Sequence, residues 1–88
     1  MSTHNQHDRL KEKARSLDPL VRIGKNGLTQ GILEEIKTHL KKRKLVKIKM
    51  IRSSFEITDK DTMRKKILEE TGAELISQIG FTLTIYKR

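Results

Sequence analysis

Apolar positions along this chain follow a helical period at first and then an extended one. An apolar side chain at every third or fourth position predicts a first helix from about Asp8 to Ser16. Asp18-Pro19 ends that helix, because proline disfavours the helical conformation of the residue before it. The short apolar stretch from Leu20 to Ile23 predicts a first strand. Residues 1–7 are polar and show no period, which predicts a flexible tail.

A second helix and a second strand follow a turn at residues 24–27. Thr29 is suited to cap the helix, whose apolar positions lie on one face. Residues 45–51 alternate and predict a strand with one apolar face, whereas Lys47 and Lys49 lie on the other face. The predicted core positions of these two elements are Ile32, Leu33, Ile36, Leu40, Val46, Ile48 and Met50.

A third helix is predicted in the second half of the chain. The stretch 52–57 before it permits two interpretations, a continuation of the second strand or a loop that covers the core. Asp59 or Asp61 can cap the helix, and Thr71-Gly72 supplies its C-terminal stop. The residues predicted to face inward are Met63, Ile67 and Leu68.

The last predicted elements are two strands, Leu75–Ile79 and Phe81–Tyr86, joined as a hairpin around Gly80. The alternation assigns Phe81, Leu83 and Ile85 to the core and Thr82, Thr84 and Tyr86 to the opposite face. The resulting order is helix-strand-helix-strand-helix-strand-strand, which predicts an α/β fold with helices packed on a mixed four-stranded sheet. Each of the two strand-helix-strand units implies parallel pairing of its strands, and the strand order is left open.

Charge narrows the function of a chain this small. Its 88 residues are enough for one domain, assigned to residues 8–88, and 20 Lys and Arg against 11 Asp and Glu give a net charge of +9. Such a basic domain most often meets nucleic acid, with an anionic membrane surface as the other candidate. No apolar stretch reaches the roughly 20 residues of a membrane span. The lack of cysteine excludes disulfides and thiolate metal sites and fits a cytoplasmic location.

The positive charge is concentrated between residues 28 and 50, where seven basic residues accompany two acidic ones. Six of the seven fall within residues 41–49, which contain no acid. Lys and Arg also favour helix C-termini through the helix dipole, so a solvated helix end is the alternative interpretation. The run continues past the predicted helix into the second strand, which favours a binding surface.

The turn Gly24-Lys25-Asn26-Gly27 carries the clearest functional signal. Glycine at its first and fourth positions lets the backbone turn sharply and approach another molecule with no Cβ in the way. The free N–H groups at the start of the following helix favour a phosphate there, and Lys25 adds a mobile positive charge. The pattern therefore predicts a loop that contacts phosphate.

The aromatic residues bear on how a nucleic acid is recognised. Only Phe55, Phe81 and Tyr86 are aromatic, and the two phenylalanines are assigned to the core. A surface that stacks splayed bases needs two or three exposed rings, whereas this chain offers Tyr86 at most, and an edge tyrosine is more often a packing residue. Affinity is therefore expected to come from phosphates and 2′-hydroxyls, with recognition of RNA shape rather than base identity.

Enzymatic interpretations find little support in the residues. The glycines match neither the phosphate loop, GxxxxGK followed by Ser or Thr, nor the dinucleotide motif GxGxxG. His39 fits a helix face better than a general base, and His4 and His7 have no carboxylate at ligand spacing. The sequence therefore predicts no catalysis, no cofactor, no metal and no small-molecule substrate.

Five segments of the chain stand in a specific order and spacing: Leu17-Asp18-Pro19, Ile23 to Thr29, Leu45 to Lys49, Thr71 to Ile76, and Ile79-Gly80 before a C-terminal Tyr-Lys-Arg. Together they resemble the CRM domain, the chloroplast RNA splicing and ribosome maturation domain, also called YhbY-like, over residues 10–88. The resemblance implies a fold similar to the C-terminal domain of bacterial translation initiation factor three. It also implies RNA binding, with the GxxG loop as a contact site resembling that of KH domains. For stand-alone prokaryotic members it implies a role in assembly of the large ribosomal subunit.

Two positions depart from the family pattern. Lys44 stands where the second strand of relatives usually opens with an acidic residue, so this surface is more basic than the pattern. Phe81 replaces the Arg or Lys that usually follows the glycine of the last hairpin. Lys87 and Arg88 are the candidates to compensate for that missing charge.

The predicted RNA contacts combine the loop, the start of the second helix, the basic run and the C-terminus. They are Gly24, Lys25, Asn26, Gly27, Thr29, Lys41, Lys42, Lys44, Lys47, Lys49, Lys87 and Arg88. The expected partner is structured RNA, either ribosomal RNA or a pre-ribosomal particle, bound by a monomer. Two alternatives stay open, a DNA- or RNA-coating chromatin protein of the Alba type and a protein-binding adaptor on the ribosome. The Thr71-Gly72-Ala73 block before the hairpin argues against the Alba type.

Overall fold

The computed structural model describes residues 3–51 and 59–88. Three helices and four strands follow one another in the predicted order, and the α/β class is confirmed. The elements are α1 (Thr3–Arg15), β1 (Val21–Ile23), α2 (Gln30–Arg43), β2 (Leu45–Met50), α3 (Lys60–Thr71), β3 (Glu74–Ile79) and β4 (Thr82–Tyr86).

The four strands form one mixed sheet in the order β1-β2-β4-β3. β1 pairs with β2 in parallel, as the first strand-helix-strand unit predicts. The parallel pairing predicted for the second strand-helix-strand unit is wrong. β2 and β3 run in the same direction but do not pair, because β4 lies between them and is antiparallel to both. β4 suits this central place because its middle residues Leu83, Thr84 and Ile85 are all buried, which a strand covered on both faces requires.

Helices cover both faces of the sheet. On one face, α2 and α3 enclose the larger core with the alternate positions of the strands. On the other face, α1 packs Ala14 against Leu45 and Ile76 in a smaller cluster that Leu10, Leu17 and Tyr86 border. The buried residues of the larger core are Val21, Ile23, Ile36, Leu40, Val46, Ile48, Met50, Met63, Ile67, Leu83 and Ile85.

The helix ends follow the predicted signals. The Thr29 hydroxyl accepts the Ile32 N–H at 3.2 Å and caps α2. Of the two candidates for α3, Asp59 is the cap, since its carboxylate accepts the Thr62 N–H at 2.7 Å. That bond lowers the pKa of Asp59, because it favours the ionised carboxylate. α3 ends at Gly72, which adopts a left-handed conformation with φ 72°.

Three predictions differ from the structure. Phe81 was assigned to the core, yet it is 42% exposed because it lies in the turn before β4. Thr84 is predicted on the face opposite the core, yet it is buried because α1 covers that face of the sheet. α1 begins at Thr3, five residues before the predicted start at Asp8. A helix anchored by packed residues further on adds turns at low cost, even where the sequence is polar.

One predicted segment and the question of a membrane span complete the comparison with the predicted fold. The assignment of 52–57 to strand or loop, with Phe55, lies outside the described residues. Among the helices within residues 3–51 and 59–88, none is long and apolar enough to cross a membrane.

Candidate nucleic-acid interface

The GxxG segment forms a tight turn between β1 and α2. The Gly27 N–H donates to the Gly24 carbonyl at 3.0 Å, and Gly27 adopts φ 74°, a conformation that favours glycine. Gly27 is buried, whereas Lys25 and Asn26 are exposed at the tip. The turn thus holds its two polar side chains out toward solvent.

The two glycines of the turn meet different demands. Gly24 does not adopt a positive φ, and a Cβ built on it meets no atom of the described residues within 4 Å. Its backbone conformation and the described residues around it therefore accept a side chain, whereas the positive φ of Gly27 disfavours one. A glycine that the fold does not need is the kind of position at which another molecule approaches the backbone.

The start of α2 adds donors beside the turn. The Thr29 side chain satisfies the Ile32 N–H, and the Leu33 N–H already bonds to the Thr29 carbonyl. The N–H groups of Gln30 and Gly31 precede the first intrahelical bond and have no acceptor in the helix. We call Gly24–Gly27 and Thr29 the loop surface.

Two further basic residues lie on the strands next to this loop. Lys49 of β2 stands in register with Arg22 of β1, and both side chains are exposed. Arg22 was not among the predicted contacts. Its signal was the alternation in Val21-Arg22-Ile23, which places a basic side chain between two buried residues, two positions before the GxxG turn.

Lys47 makes hydrogen bonds within the fold that the sequence did not indicate. Its ammonium donates to the carbonyls of Ala14 at 3.1 Å and Leu17 at 3.2 Å, just where α1 ends. The Ala14 carbonyl also accepts the Leu17 N–H at 3.1 Å, so the ammonium adds a second donor there and ties the end of α1 to β2. Lys47 was predicted as an RNA contact together with Lys49, but only Lys49 has an exposed side chain.

The remaining predicted cations gather at the opposite end of α2, as a group that we call the helix-end cluster: Lys41, Lys42, Lys44, Lys87 and Arg88. Four of them line an open groove of about 400 Å³ between the C-terminal ends of α2 and α3, and Lys42 adjoins it in sequence. The Lys87 N–H donates to the Lys44 carbonyl at 2.9 Å, and the Lys87 ammonium donates to the Thr71 carbonyl at 2.7 Å. Lys87 thereby joins the ends of both helices.

The predicted site is therefore two surfaces rather than one. The loop surface lies at the N-terminus of α2 and the helix-end cluster at its C-terminus. From Thr29 to Lys44 the helical rise alone gives a separation of about 22 Å. Within the described residues, no group of three or more His, Cys, Asp or Glu side chains is placed to hold a metal ion.

Comparison with known proteins finds one matching family model and relatives that are named for RNA binding. The family model of the CRS1 / YhbY (CRM) domain matches residues 3–87. A Haemophilus influenzae protein named RNA-binding protein is 37% identical over 78 residues, which are 89% of this chain and 77% of the relative. The probable RNA-binding protein YqeI of Bacillus subtilis is 29% identical over 87 residues, which are 99% of this chain and 88% of the relative.

A third relative and a solved structure extend the comparison. A probable RNA-binding protein of Methanocaldococcus jannaschii is 31% identical over 78 residues, which are 89% of this chain, and the match spans 58% of that relative's length. The solution structure of a hypothetical protein from Staphylococcus aureus superposes with a TM-score of 0.79 at 31% identity. That alignment covers 100% of this chain and 90% of the other.

Proposed function

The chain belongs to the CRS1 / YhbY (CRM) domain family, and from that premise we propose that it binds structured RNA through the loop surface. The observation that carries the proposal is the exposed Lys25-Asn26 tip beside the partly exposed Gly24, whose added Cβ would meet no atom of the described residues within 4 Å. Phosphate is the ligand that such a turn at a helix N-terminus favours. The names of three relatives, one an RNA-binding protein and two probable RNA-binding proteins, agree with RNA as the source of that phosphate.

The finer proposal is that the protein acts as a cytoplasmic monomer in assembly of the large ribosomal subunit, on ribosomal RNA or a pre-ribosomal particle. It rests on the resemblance to stand-alone prokaryotic members of the family. Ribosomal RNA offers the helical, phosphate-rich surface that a basic domain poor in aromatic residues is suited to recognise. The competing function is a chromatin protein that coats DNA, for which the net charge of +9 is equally suitable.

A charge reversal at the tip tests the proposal. Lys25→Asp with Asn26→Asp keeps both glycines, so the turn retains its backbone conformation, and surface changes alter stability by only about ±0.5 kcal/mol. RNA affinity should fall by about tenfold or more, because a phosphate contact is lost and like charges are placed where the phosphate approaches. Lys65→Ala with Lys66→Ala on the exposed side of α3 is the control, and it should bind RNA nearly as the parent does.

The measurement is equilibrium binding to an RNA hairpin and to the DNA hairpin of the same sequence at matched salt. Preference for RNA by about tenfold, close to 1.4 kcal/mol, supports reading of shape and 2′-hydroxyls. Equal affinity for the two hairpins would instead favour the DNA-coating function. A double-Asp variant that melts like the parent and binds RNA equally well would remove the loop surface from the proposal.

A further inference from the structure

Acidic side chains lie between the two basic surfaces. α2 joins the loop surface to the helix-end cluster, and its second turn exposes Glu34 and Glu35, whose side chains are 61% and 53% accessible. Glu34 pairs with Lys37 at 3.7 Å and Glu35 lies 3.9 Å from His39, but pairs as exposed as these screen each carboxylate only in part. A phosphate strand that followed the helix from end to end would have to pass these carboxylates, and like charges repel. A single continuous strand along α2 is therefore disfavoured.

Lys44, a member of the helix-end cluster, has a strained backbone conformation. It follows the last turn of α2 with φ 66° and ψ −34°, and it is the only residue other than glycine with a positive φ in the described parts of the chain. Glycine is the residue that helices usually place at such a position, because any Cβ is strained there. A strained backbone that persists where glycine would serve better points to a use for the side chain.

Lys44 and its neighbour on the helix remain available for a ligand. Lys41 and Lys44 are exposed, whereas the Lys87 ammonium is engaged by the Thr71 carbonyl. Lys41 lies one turn before Lys44 and lines the same groove, together with Arg88. Lys41, Lys44 and Arg88 thus line one groove, together with Lys37 and the carboxylate of Glu70. The negative end of a helix dipole corresponds to about half an elementary charge, so these cations leave the groove positive even with Glu70 in it.

We infer that the ligand is a double-helical RNA segment that presents two separate stretches of backbone, one to the loop surface and one to the helix-end cluster. In a duplex, a groove separates neighbouring stretches of backbone, so the Glu34-Glu35 turn faces a gap between phosphates. The inference rests on the proposed function, since it takes RNA as the ligand of the loop surface. It adds the class of RNA and a second contact that is set at about 22 Å by the length of α2.

Duplex length supplies the test. At a rise of about 3.4 Å per base pair, 22 Å corresponds to about six or seven base pairs, and to somewhat more in A-form RNA. Two RNA hairpins with the same loop are used, one with a stem of about four base pairs and one with about sixteen. The short stem reaches only one surface, whereas the long stem reaches both.

The variants separate the two surfaces. Lys41→Gln with Lys44→Gly weakens the cluster, Lys25→Asp with Asn26→Asp weakens the loop surface, and Lys65→Ala with Lys66→Ala removes two charges elsewhere. Lys44→Gly alone should leave the melting temperature unchanged or higher, because it relieves the positive φ. If Lys44→Gly binds RNA more weakly, unfolding of the variant therefore cannot be the cause.

The cluster variant should bind the long stem at least about tenfold more weakly than the parent, and the short stem within about twofold. On the long stem the parent should also show a steeper dependence of log affinity on log salt, by about two, and the cluster variant should lose that difference. Equal fractional losses on both stems, or no loss on the long stem, would overturn the inference. So would an unstructured RNA of equal length that binds as tightly as the long stem.

The outcome for the loop variant is read independently. If the loop variant keeps parental affinity for both stems, the proposed function of the loop surface fails, whatever the cluster does. If the loop variant loses affinity for both stems and the cluster variant for neither, the loop function stands and the two-surface ligand is wrong.

Discussion

Alanine at each glycine of the GxxG turn separates a requirement of the fold from a requirement of the ligand. Gly27 is buried with φ 74°, and placing a side chain in that conformation costs about 1–2 kcal/mol. For a domain of this size each kcal/mol lowers the melting temperature by about 4–8 °C. Gly27→Ala should therefore melt about 4–16 °C below the parent.

Gly24→Ala should behave in the opposite way. A Cβ there meets no described atom within 4 Å and the φ is not positive, so the substitution should leave stability unchanged or raise it by up to about 1 kcal/mol through the unfolded chain. Hydrogen bonding brings a phosphate oxygen to about 3 Å from a backbone N–H, whereas a methyl group holds it at about 3.5–4 Å. We expect RNA affinity to fall by about tenfold, or 1.4 kcal/mol.

Thermal melting and equilibrium RNA binding on the parent and the two alanine variants check this pair. The comparison is informative because the substitutions are chemically identical and lie three residues apart in one turn. The reasoning is refuted if Gly24→Ala melts like the parent and binds RNA within about twofold of it. The turn would then serve only to reverse the chain between β1 and α2.

Two further predictions concern the structural roles of polar side chains. Lys47→Met keeps much of the side-chain volume but removes the two hydrogen bonds at the end of α1, so it should lower the free energy of unfolding by about 1–3 kcal/mol. Lys49→Met, on the same strand face, is the control and should change it little, as thermal melting of both variants will show. Because the cap hydrogen bond lowers the pKa of Asp59 below 3.8, the stability that it contributes is present above that pH and is lost as the pH falls through the lowered pKa. The melting temperature of the parent relative to Asp59→Asn should therefore decline below about pH 4, and an unchanged difference down to pH 2 would contradict the assigned cap.

Local signals predicted the elements because each depends on neighbouring residues alone. Thr29 and Asp59 cap helices through side-chain oxygens that reach N–H groups three residues away. Alternation in residues 45–50 gave the buried face of β2, with Val46, Ile48 and Met50 nearly inaccessible. Such preferences act within one turn or one strand, so they can be seen in a single sequence.

The strand order and the second core could not be predicted in the same way. The central place of β4 depends on both of its neighbours and on helices packed above and below it. Thr84 has the character of a solvent-facing strand residue, and it becomes buried only because α1 covers that face. Leu45 and Ile76 are apolar residues on the face that α1 covers, and they were the available signal that a helix had to lie there.

The candidate site shows the limit of argument from charge alone. Lysines at positions 47, 49 and 87 look equivalent in the sequence, yet the ammonium groups of Lys47 and Lys87 bond to carbonyls at the ends of α1 and α3. These two cations still contribute to the positive field that attracts a polyanion, but a phosphate would have to compete with carbonyls for their donors. Lys49 and Lys25 have exposed side chains and meet no such competition from those carbonyls. A net charge of +9 therefore overstates the number of phosphates that the protein can contact directly, because two of its cations are already bonded to carbonyls of the fold.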